Sequence, residues 1–341
     1  ARAAPVPGSP VGYLLAAQNA DGGFGAARGQ PSSSVYSGWA ALGLASANVE
    51  PLRVMHGGPS VIGYIEAHPA RDTGSLERTI LVLRAAGLSA RRVAGHDLVA
   101  MLERRRGAGG AFGGLVNLTA FGVLALRAAG VPVPAASVRW LIGQQGRDGG
   151  YGFAGVGSMS DTDDTGAVLE ALAGQPGAAA ARRRAVAYLR AHQDHDGGFA
   201  AQPGQGSNAQ STAWAVQGLA AVGLNPAAVH RGGGPSPLDY LRSLIGANGA
   251  VAYARGQNQT PVWVTGEALM ALQERPLPLL SMTLPHPAPR PARRLARGWL
   301  RPAARAEGPV RAEAALQRRI LRLAAGAGLA TAVLLAPLGV G

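Results

Sequence analysis

The chain has 341 residues, 47% of them hydrophobic, which is enough to bury one large core or two ordinary ones. It has no cysteine, which excludes disulfides, thiolate metal sites and cysteine nucleophiles. The formal net charge is +13, and every basic residue is arginine. Residues 290–322 carry ten arginines against two glutamates, a net +8, so most of the excess lies in a proline-rich tail. That distribution argues against a nucleic-acid partner, which needs a basic face on the folded domain.

Six segments of the chain repeat at intervals of 40 to 53 residues. Each has a serine or threonine, a small residue, four variable residues, and then a small residue and leucine; the second copy lacks the closing leucine. The markers are Ser37, Thr79, Thr119, Thr165, Thr212 and Thr265. Each marker is predicted to begin a short helix, and the apolar composition of these helices indicates that they are buried.

A second helix is predicted before each marker. Its signature is a large residue, usually followed by leucine or isoleucine: Tyr13-Leu14, Tyr64-Ile65, Met101-Leu102, Trp140-Leu141, Tyr188-Leu189 and Tyr240-Leu241. In three copies this helix ends in Gln-x-x-Asp-Gly-Gly-aromatic, at residues 18–24, 145–151 and 193–199. The glycines permit the positive φ angles that end a helix. Six helical hairpins with buried second helices predict an all-α fold over 11–275, an α/α toroid (α6/α6 barrel); an open solenoid is the alternative.

Two further segments follow the repeats. Residues 276–311 are rich in proline and arginine and predict a disordered linker. Residues 312–341 are basic and then apolar, which predicts a helix that anchors the chain in a membrane, with an interfacial or disordered tail as the alternative. The first residues, Ala-Arg-Ala-Ala-Pro, suit the start of a chain after signal-peptide removal. We therefore expect a membrane-anchored protein exported to a bacterial cell envelope, although arginines before the apolar segment favour a cytoplasmic linker.

The repeated Gln-x-x-Asp-Gly-Gly-aromatic turn resembles the QW-type repeat of the squalene–hopene cyclase, oxidosqualene cyclase and protein prenyltransferase β-subunit superfamily. The resemblance covers about residues 11–275, with phenylalanine or tyrosine in place of the usual tryptophan. It implies the α/α toroid. Prenyltransferases of this kind hold zinc with aspartate, cysteine and histidine, and lanthionine cyclases use cysteine and histidine. Without cysteine neither site can be built, so we expect no metal and no cofactor.

An acidic cluster stands out in the fourth repeat, where the chain reads Ser-Asp-Thr-Asp-Asp-Thr over 160–165. The fifth repeat has Ser-Asn-Ala-Gln-Ser-Thr over 207–212, so the fold itself does not require the carboxylates. Three carboxyls within four residues cannot all ionise cheaply, so at least one pKa should rise. Asp161, Asp163 and Asp164 also match the Asp-x-Asp-Asp motif of class II terpene cyclases. That resemblance implies that Asp163 is the general acid and that the other two orient it and support its protonated state.

Other roles for the acidic cluster remain open. Aspartates at a helix start serve as caps and favour the helix dipole, and clustered oxygen ligands are also typical of calcium sites. The same register places further candidate ligand-binding residues at the mouth of the ring: Tyr36, Trp39, Asn117, Phe121, Gln210, Trp214, Trp263 and Glu267. The aromatic faces suit carbocations, and core packing explains them equally well. Glu77 and Arg78 are interpreted as a solvated pair at the rim.

Two functions from different classes follow. The first is a class II cyclase that protonates an apolar isoprenoid and needs no redox cofactor. The second is a non-catalytic toroid of the cell envelope that binds a small ligand or acts as a scaffold. Class II cyclases of the superfamily usually combine two α/α domains and have cavities rich in aromatics. This chain has one such domain and only 17 Phe, Trp and Tyr residues, which weakens the cyclase interpretation, but the acidic motif keeps the cyclase as the leading hypothesis.

Overall fold

A computed structural model describes residues 8–280, and within this range it contains twelve α-helices and no β-strand longer than an isolated bridge. The outer helices are α1 (Pro10–Ala17), α3 (Val61–Ala67), α5 (Leu98–Glu103), α7 (Ala135–Gly143), α9 (Ala179–His192) and α11 (Pro237–Ser243). The inner helices are α2 (Ser34–Ser46), α4 (Thr73–Ala85), α6 (Val116–Ala128), α8 (Thr162–Leu172), α10 (Ala209–Ala221) and α12 (Pro261–Leu272).

The inner helices form a closed ring. Each even-numbered helix contacts the next one, and α12 contacts α2, which closes the circle. The odd-numbered helices pack outside, each against the inner helix that precedes it, while α1 packs against α12 and α2. The prediction of an all-α toroid built from six helical hairpins is therefore confirmed.

The repeated turn is held by side-chain hydrogen bonds to the main chain. The Gln18 amide donates to the carbonyls of Gly22 (2.8 Å) and Val54 (2.9 Å), which ties the turn to the segment that precedes the next outer helix. The N–H of Phe24 donates to the Ser37 hydroxyl at 2.9 Å. The same bond links an aromatic or apolar N–H to four other markers: Thr119, Thr165, Thr212 and Thr265. The marker residue therefore fixes the turn on the inner helix, which explains its recurrence.

The second repeat is aligned incorrectly by the sequence pattern. In four inner helices the marker is the fourth helical residue, whereas Thr79 is the seventh residue of α4. The helix begins early because Asp72 and Ser75 form a capping box at its start. Leu76, fully buried, occupies the place of the marker. The shift of three residues moves Arg78 into register with Trp39.

Glycines permit the closest helix contacts in the ring. A Cβ atom on Gly43 of α2 would lie 2.6 Å from the Gly266 carbonyl oxygen of α12. A Cβ on Gly218 of α10 would lie 2.8 Å from the Gly166 carbonyl oxygen of α8. Real Cβ atoms do not approach so closely, so both pairs of helices pack backbone against backbone.

The folded unit continues beyond the last repeat. We expected the linker to begin at Pro276, but Leu277 and Leu279 are buried, and the Leu277 N–H donates to Glu170 Oε2 at 2.7 Å. The start of this segment therefore packs against the toroid, because Leu277 and Leu279 cover its apolar surface. The rest of the predicted linker and the predicted anchor at 312–341 lie outside the described residues. Within 8–280, none of the helices has the length and apolarity needed to cross a bilayer.

Candidate active site

Asp161 caps the start of α8. Its Oδ1 accepts the Asp164 N–H at 2.7 Å, and its own N–H donates to the Tyr151 carbonyl at 2.8 Å. The capping role considered for the acidic cluster is therefore present, but it uses only this one carboxylate. The two other carboxyls have no part in the cap.

Asp161 and Asp164 form a pair of buried carboxyls that influence each other's pKa. Burial, and then the charge of Asp164, raises the pKa of Asp161 well above its ordinary value. Burial also raises the pKa of Asp164 to about 7. Two buried carboxyls that interact cannot both ionise at low cost, so this pair favours holding a proton.

Asp163 lies beside this pair with a different environment. The residue is partly exposed, but its Oδ1 is buried and has no hydrogen-bond partner within residues 8–280. The Ser211 side chain of the neighbouring helix forms a hydrogen bond with the Asp163 carboxyl. Burial, followed by the charge of Asp161, raises the pKa of Asp163 to about 7. A carboxyl of this kind is substantially protonated at neutral pH and has a free oxygen to direct at a reacting group.

Helical periodicity places the candidate residues in two layers around the lumen, the space at the centre of the inner ring. Residues four apart share one face of a helix. The first layer, two residues before the marker position, contains Val35, Gly74, Asn117, Asp163, Gln210 and Trp263. The second layer, two residues after it, contains Trp39, Arg78, Phe121, Ala167, Trp214 and Glu267. The lumen beside Asp163 therefore has aromatic, acidic and basic walls.

The structure brings four aromatic residues together in one aromatic cluster: Trp39, Phe121, Trp214 and Trp263. Trp39 meets Phe121 at 6.0 Å and Trp214 at 5.8 Å edge to face, and it stacks on Trp263 at 6.4 Å between ring centroids. Tyr36 meets Trp263 at 6.1 Å. Because these rings come from α2, α6, α10 and α12, their contacts cross the lumen.

Glu267 connects this cluster to the acidic residues. Its Oε1 accepts the Trp263 indole N–H, and its Oε2 accepts the Gln210 amide, each at 2.7 Å. Burial raises the pKa of Glu267 to about 8, and the charge of Asp163 acts in the same direction. Gln210 and Glu267 are therefore parts of one hydrogen-bonded group next to Asp163.

Glu77 and Arg78 are buried, so the interpretation of a solvated rim pair is wrong. The physical reason is the corrected register of α4, which turns Arg78 into the second layer. Gly38 of α2 makes room for it, because a Cβ there would lie 2.7 Å from Arg78 Cδ. Asn117 is also buried and takes the place on α6 that Asp163 takes on α8.

Sequence reasoning missed two polar residues deeper in the lumen, Glu170 and Gln217. They occupy the same position on neighbouring helices, five residues after the marker position. The other four helices have apolar residues there: Leu42, Leu81, Leu124 and Met270. That contrast between repeats is the signal that would have found them.

A metal site finds no donor set in the described part of the chain. No group of three or more acidic or histidine side chains within 8–280 is arranged to hold an ion. The calcium alternative for the acidic cluster therefore has no support from its geometry.

Part of the chain matches a known protein family. Residues 8–63 and 167–260 match the family described as prenyltransferase alpha-alpha toroid domain. A search of curated protein sequences returned no match.

Among solved structures, the chain is similar to a protein from Actinoplanes (TM-score 0.58, 15% identity, 78% of this chain and 97% of that one). A variant of the type II terpene cyclase MstE from Scytonema, in complex with geranylgeranyl dihydroxybenzoate (substrate), has TM-score 0.58 and 15% identity, covering 78% and 95%. An ent-copalyl diphosphate synthase from Streptomyces platensis has TM-score 0.50 and 19% identity, covering 72% and 52%. At these identities the likeness shows the fold.

Proposed function

We propose that this chain, an α/α-toroid protein of the terpene cyclase and prenyltransferase superfamily, is a class II cyclase that starts isoprenoid cyclisation by protonating a carbon–carbon double bond. The observation that carries the proposal is the placement of Asp163. Its Oδ1 is buried and unpartnered within 8–280, and the residue faces the lumen beside the aromatic cluster.

Asp163 supplies the proton. An alkene is a weak base, so its protonation needs a neutral carboxylic acid held in an apolar, water-poor site. The raised pKa of Asp163, about 7, keeps a large share of this carboxyl in the acid form. When its proton passes to one carbon of the alkene, the carboxylate remains and a cation forms on the adjacent carbon. Ser211 stabilises the new carboxylate by its side-chain hydrogen bond.

The aromatic cluster has the chemistry needed for the next step. The faces of tryptophan and phenylalanine attract cations, most strongly where water is excluded. Each further ring closes when a second double bond attacks the cation, so the charge moves through the lumen. Loss of a proton ends the reaction, and the product is an isomer of the substrate. No redox cofactor is required for these steps.

The length of the chain is compatible with this activity. The resemblance suggested that class II cyclases usually need two α/α domains. This chain, however, covers 95% of a structure named type II terpene cyclase. A protein of about the size of one such toroid is thus named as a class II cyclase, so a single toroid is compatible with the proposal. The substrate of that protein is a geranylgeranyl compound, which supports an isoprenoid ligand here.

The test uses the purified full chain, incubated with squalene and with geranylgeranyl diphosphate and analysed by gas chromatography–mass spectrometry. Asp163→Asn removes the acid with little change in size, and Glu103→Gln makes the same chemical change at an exposed position of α5. We expect a cyclised isomer from the wild type and from Glu103→Gln, and none from Asp163→Asn. Equal product from Asp163→Asn would reject the assignment of the acid.

A non-catalytic ligand-binding or scaffold toroid is the second candidate. The observation that favours it is that the aromatic rings contact one another across the lumen and are buried. A folded chain that forms no product from either substrate would support this function.

Membrane attachment through residues 312–341 and export to the cell envelope remain proposals. Their direct test is fractionation of cells that express the full chain and a chain shortened before residue 312.

A further inference from the structure

The lumen contains a second polar position that the proposed chemistry does not use. Glu170 of α8 and Gln217 of α10 are fully buried at equivalent positions, next to each other in the ring. The positions lie three residues beyond Ala167 and Trp214, so the same helix faces that meet across the lumen carry them. We call Glu170 and Gln217 the deep polar pair.

The deep polar pair has unused hydrogen-bonding atoms. Within 8–280, Glu170 Oε1 has no partner, and neither the oxygen nor the nitrogen of the Gln217 amide has one. Leaving a buried polar atom unpartnered costs about 1–3 kcal/mol, and an amide with both ends free carries that cost twice. Four other repeats avoid it with leucine or methionine. The stability of the fold therefore does not explain why these two residues are polar.

The Glu170 carboxyl is covered on one side by the segment that follows α12. Glu170 Oε2 accepts the N–H of Leu277, and Leu277 is buried, so the segment after α12 covers this carboxyl. Arg127 donates to the main-chain oxygen of Glu170 at 2.7 Å. The side-chain Oε1 is what remains available on this residue. Burial raises the pKa of Glu170 to about 8, so the carboxyl is largely neutral at pH 7.

The helix α8 connects the deep polar pair to Asp163. Glu170 follows Asp163 by seven residues, which corresponds to about 10 Å along the helix. Between them lies Ala167, at a level where the other inner helices present larger side chains. The smallest side chain of the second layer therefore lies on the face of α8 between Asp163 and Glu170.

We propose that the deep polar pair binds the hydroxyl group of the ligand in the lumen, so that the ligand is an isoprenoid alcohol rather than a hydrocarbon. A hydroxyl both donates and accepts, as do a carboxyl and an amide together. Its hydrogen can go to Gln217 Oε1, while its oxygen accepts from the protonated Oε1 of Glu170 or from Gln217 Nε2. This inference rests on the proposed function only in taking the ligand to be an isoprenoid.

The test measures binding and not turnover. Geranylgeraniol, and the matched hydrocarbon without its hydroxyl, are titrated into the full chain, with binding followed by the fluorescence of the aromatic cluster. The main variant combines Glu170→Leu and Gln217→Leu, because three other repeats have leucine in this layer. Gln217→Leu alone and Glu170→Gln serve if the double variant does not fold, as judged by circular dichroism. Met270→Leu, in the same layer, is the matched control.

We expect the wild type and Met270→Leu to bind the alcohol at least about tenfold more tightly than the hydrocarbon, the value of one good hydrogen bond. The preference should fall below about twofold in the Leu variants. An equal preference in the wild type and the variants would mean that the deep polar pair holds internal water only and would overturn the inference, as would failure of the wild type to bind either compound. If the chain cyclises squalene but shows no preference for the alcohol, the inference on the deep polar pair fails and the proposed cyclase function stands. If the chain prefers the alcohol but forms no cyclised product, the inference stands and the proposed cyclase function fails.

Discussion

Replacing Glu267 by glutamine removes a carboxyl that holds a proton in the folded protein. The pKa of Glu267 is about 8 when folded, against an ordinary value of 4.5. The folded state therefore binds a proton that the unfolded chain releases, so this contribution to stability is complete below about pH 4.5 and is lost as the pH rises to about 8. Integrated between about pH 5 and pH 8, one such group accounts for about 3 kcal/mol of the free energy of unfolding.

The substitution is compatible with the site. Glu267 accepts two N–H donors, from Trp263 and Gln210, and a new amide would bring one donor against another. Gln210 can relieve this by turning its side-chain amide around, because its Oε1 has no partner within 8–280. We therefore expect a folded variant.

The assay is urea denaturation of the wild type and Glu267→Gln at about pH 5 and pH 8, with Glu103→Gln as the exposed control. The free energy of unfolding of Glu267→Gln minus that of the wild type should rise by about 3 kcal/mol from the lower pH to the higher one. Glu103→Gln should show no such change. If the difference between wild type and Glu267→Gln were the same at both pH values within about 0.5 kcal/mol, the reasoning on Glu267 would be refuted.

Three more predictions follow from the site and the fold. Cyclisation should fall as the pH rises above about 7, because ionised Asp163 cannot donate its proton, and an unchanged rate between about pH 6 and pH 8.5 would contradict this. Gly166→Ala should destabilise the chain by about 1–3 kcal/mol in urea, because the new Cβ meets the Trp214 carbonyl, whereas Gly143→Ala, in open space, should not. Gln193→Ala should cost about 2 kcal/mol, measured as a lower Tm, because its amide donates to the carbonyls of Gly197 and Val229; a Tm like that of the wild type would count against the turn as a source of stability.

The sequence predicted the repeats well because the toroid repeats one local rule. In five of the six inner helices a hydroxyl near the start accepts the N–H of the preceding turn, so Thr119, Thr165 and Thr212 are visible without the structure. The rule fails in α4, where Asp72 and Ser75 cap the helix early and a buried leucine replaces the hydroxyl. A pattern of hydroxyls cannot detect a repeat that has none.

The candidate site was predicted less completely, because its polar groups depend on contacts between helices. The acidic cluster is local in sequence, so Asp161, Asp163 and Asp164 could be selected directly. Glu267 could be placed at the mouth, but its bond to Gln210 joins residues 57 positions apart. Burial of Glu170 under Leu277 joins residues 107 positions apart and had no local signal.

The contact between Gly43 and Gly266 has a consequence for how the chain is made. The two glycines belong to the first and last inner helices, so the ring cannot close before the final repeat has been synthesised. Until then, α2 and α10 each lack the neighbour that α12 provides, and an apolar flank of each remains uncovered. A solenoid can gain or lose a terminal repeat with little effect on the rest. In a closed ring every repeat is internal, so deletion of any hairpin should prevent closure and not merely shorten the protein.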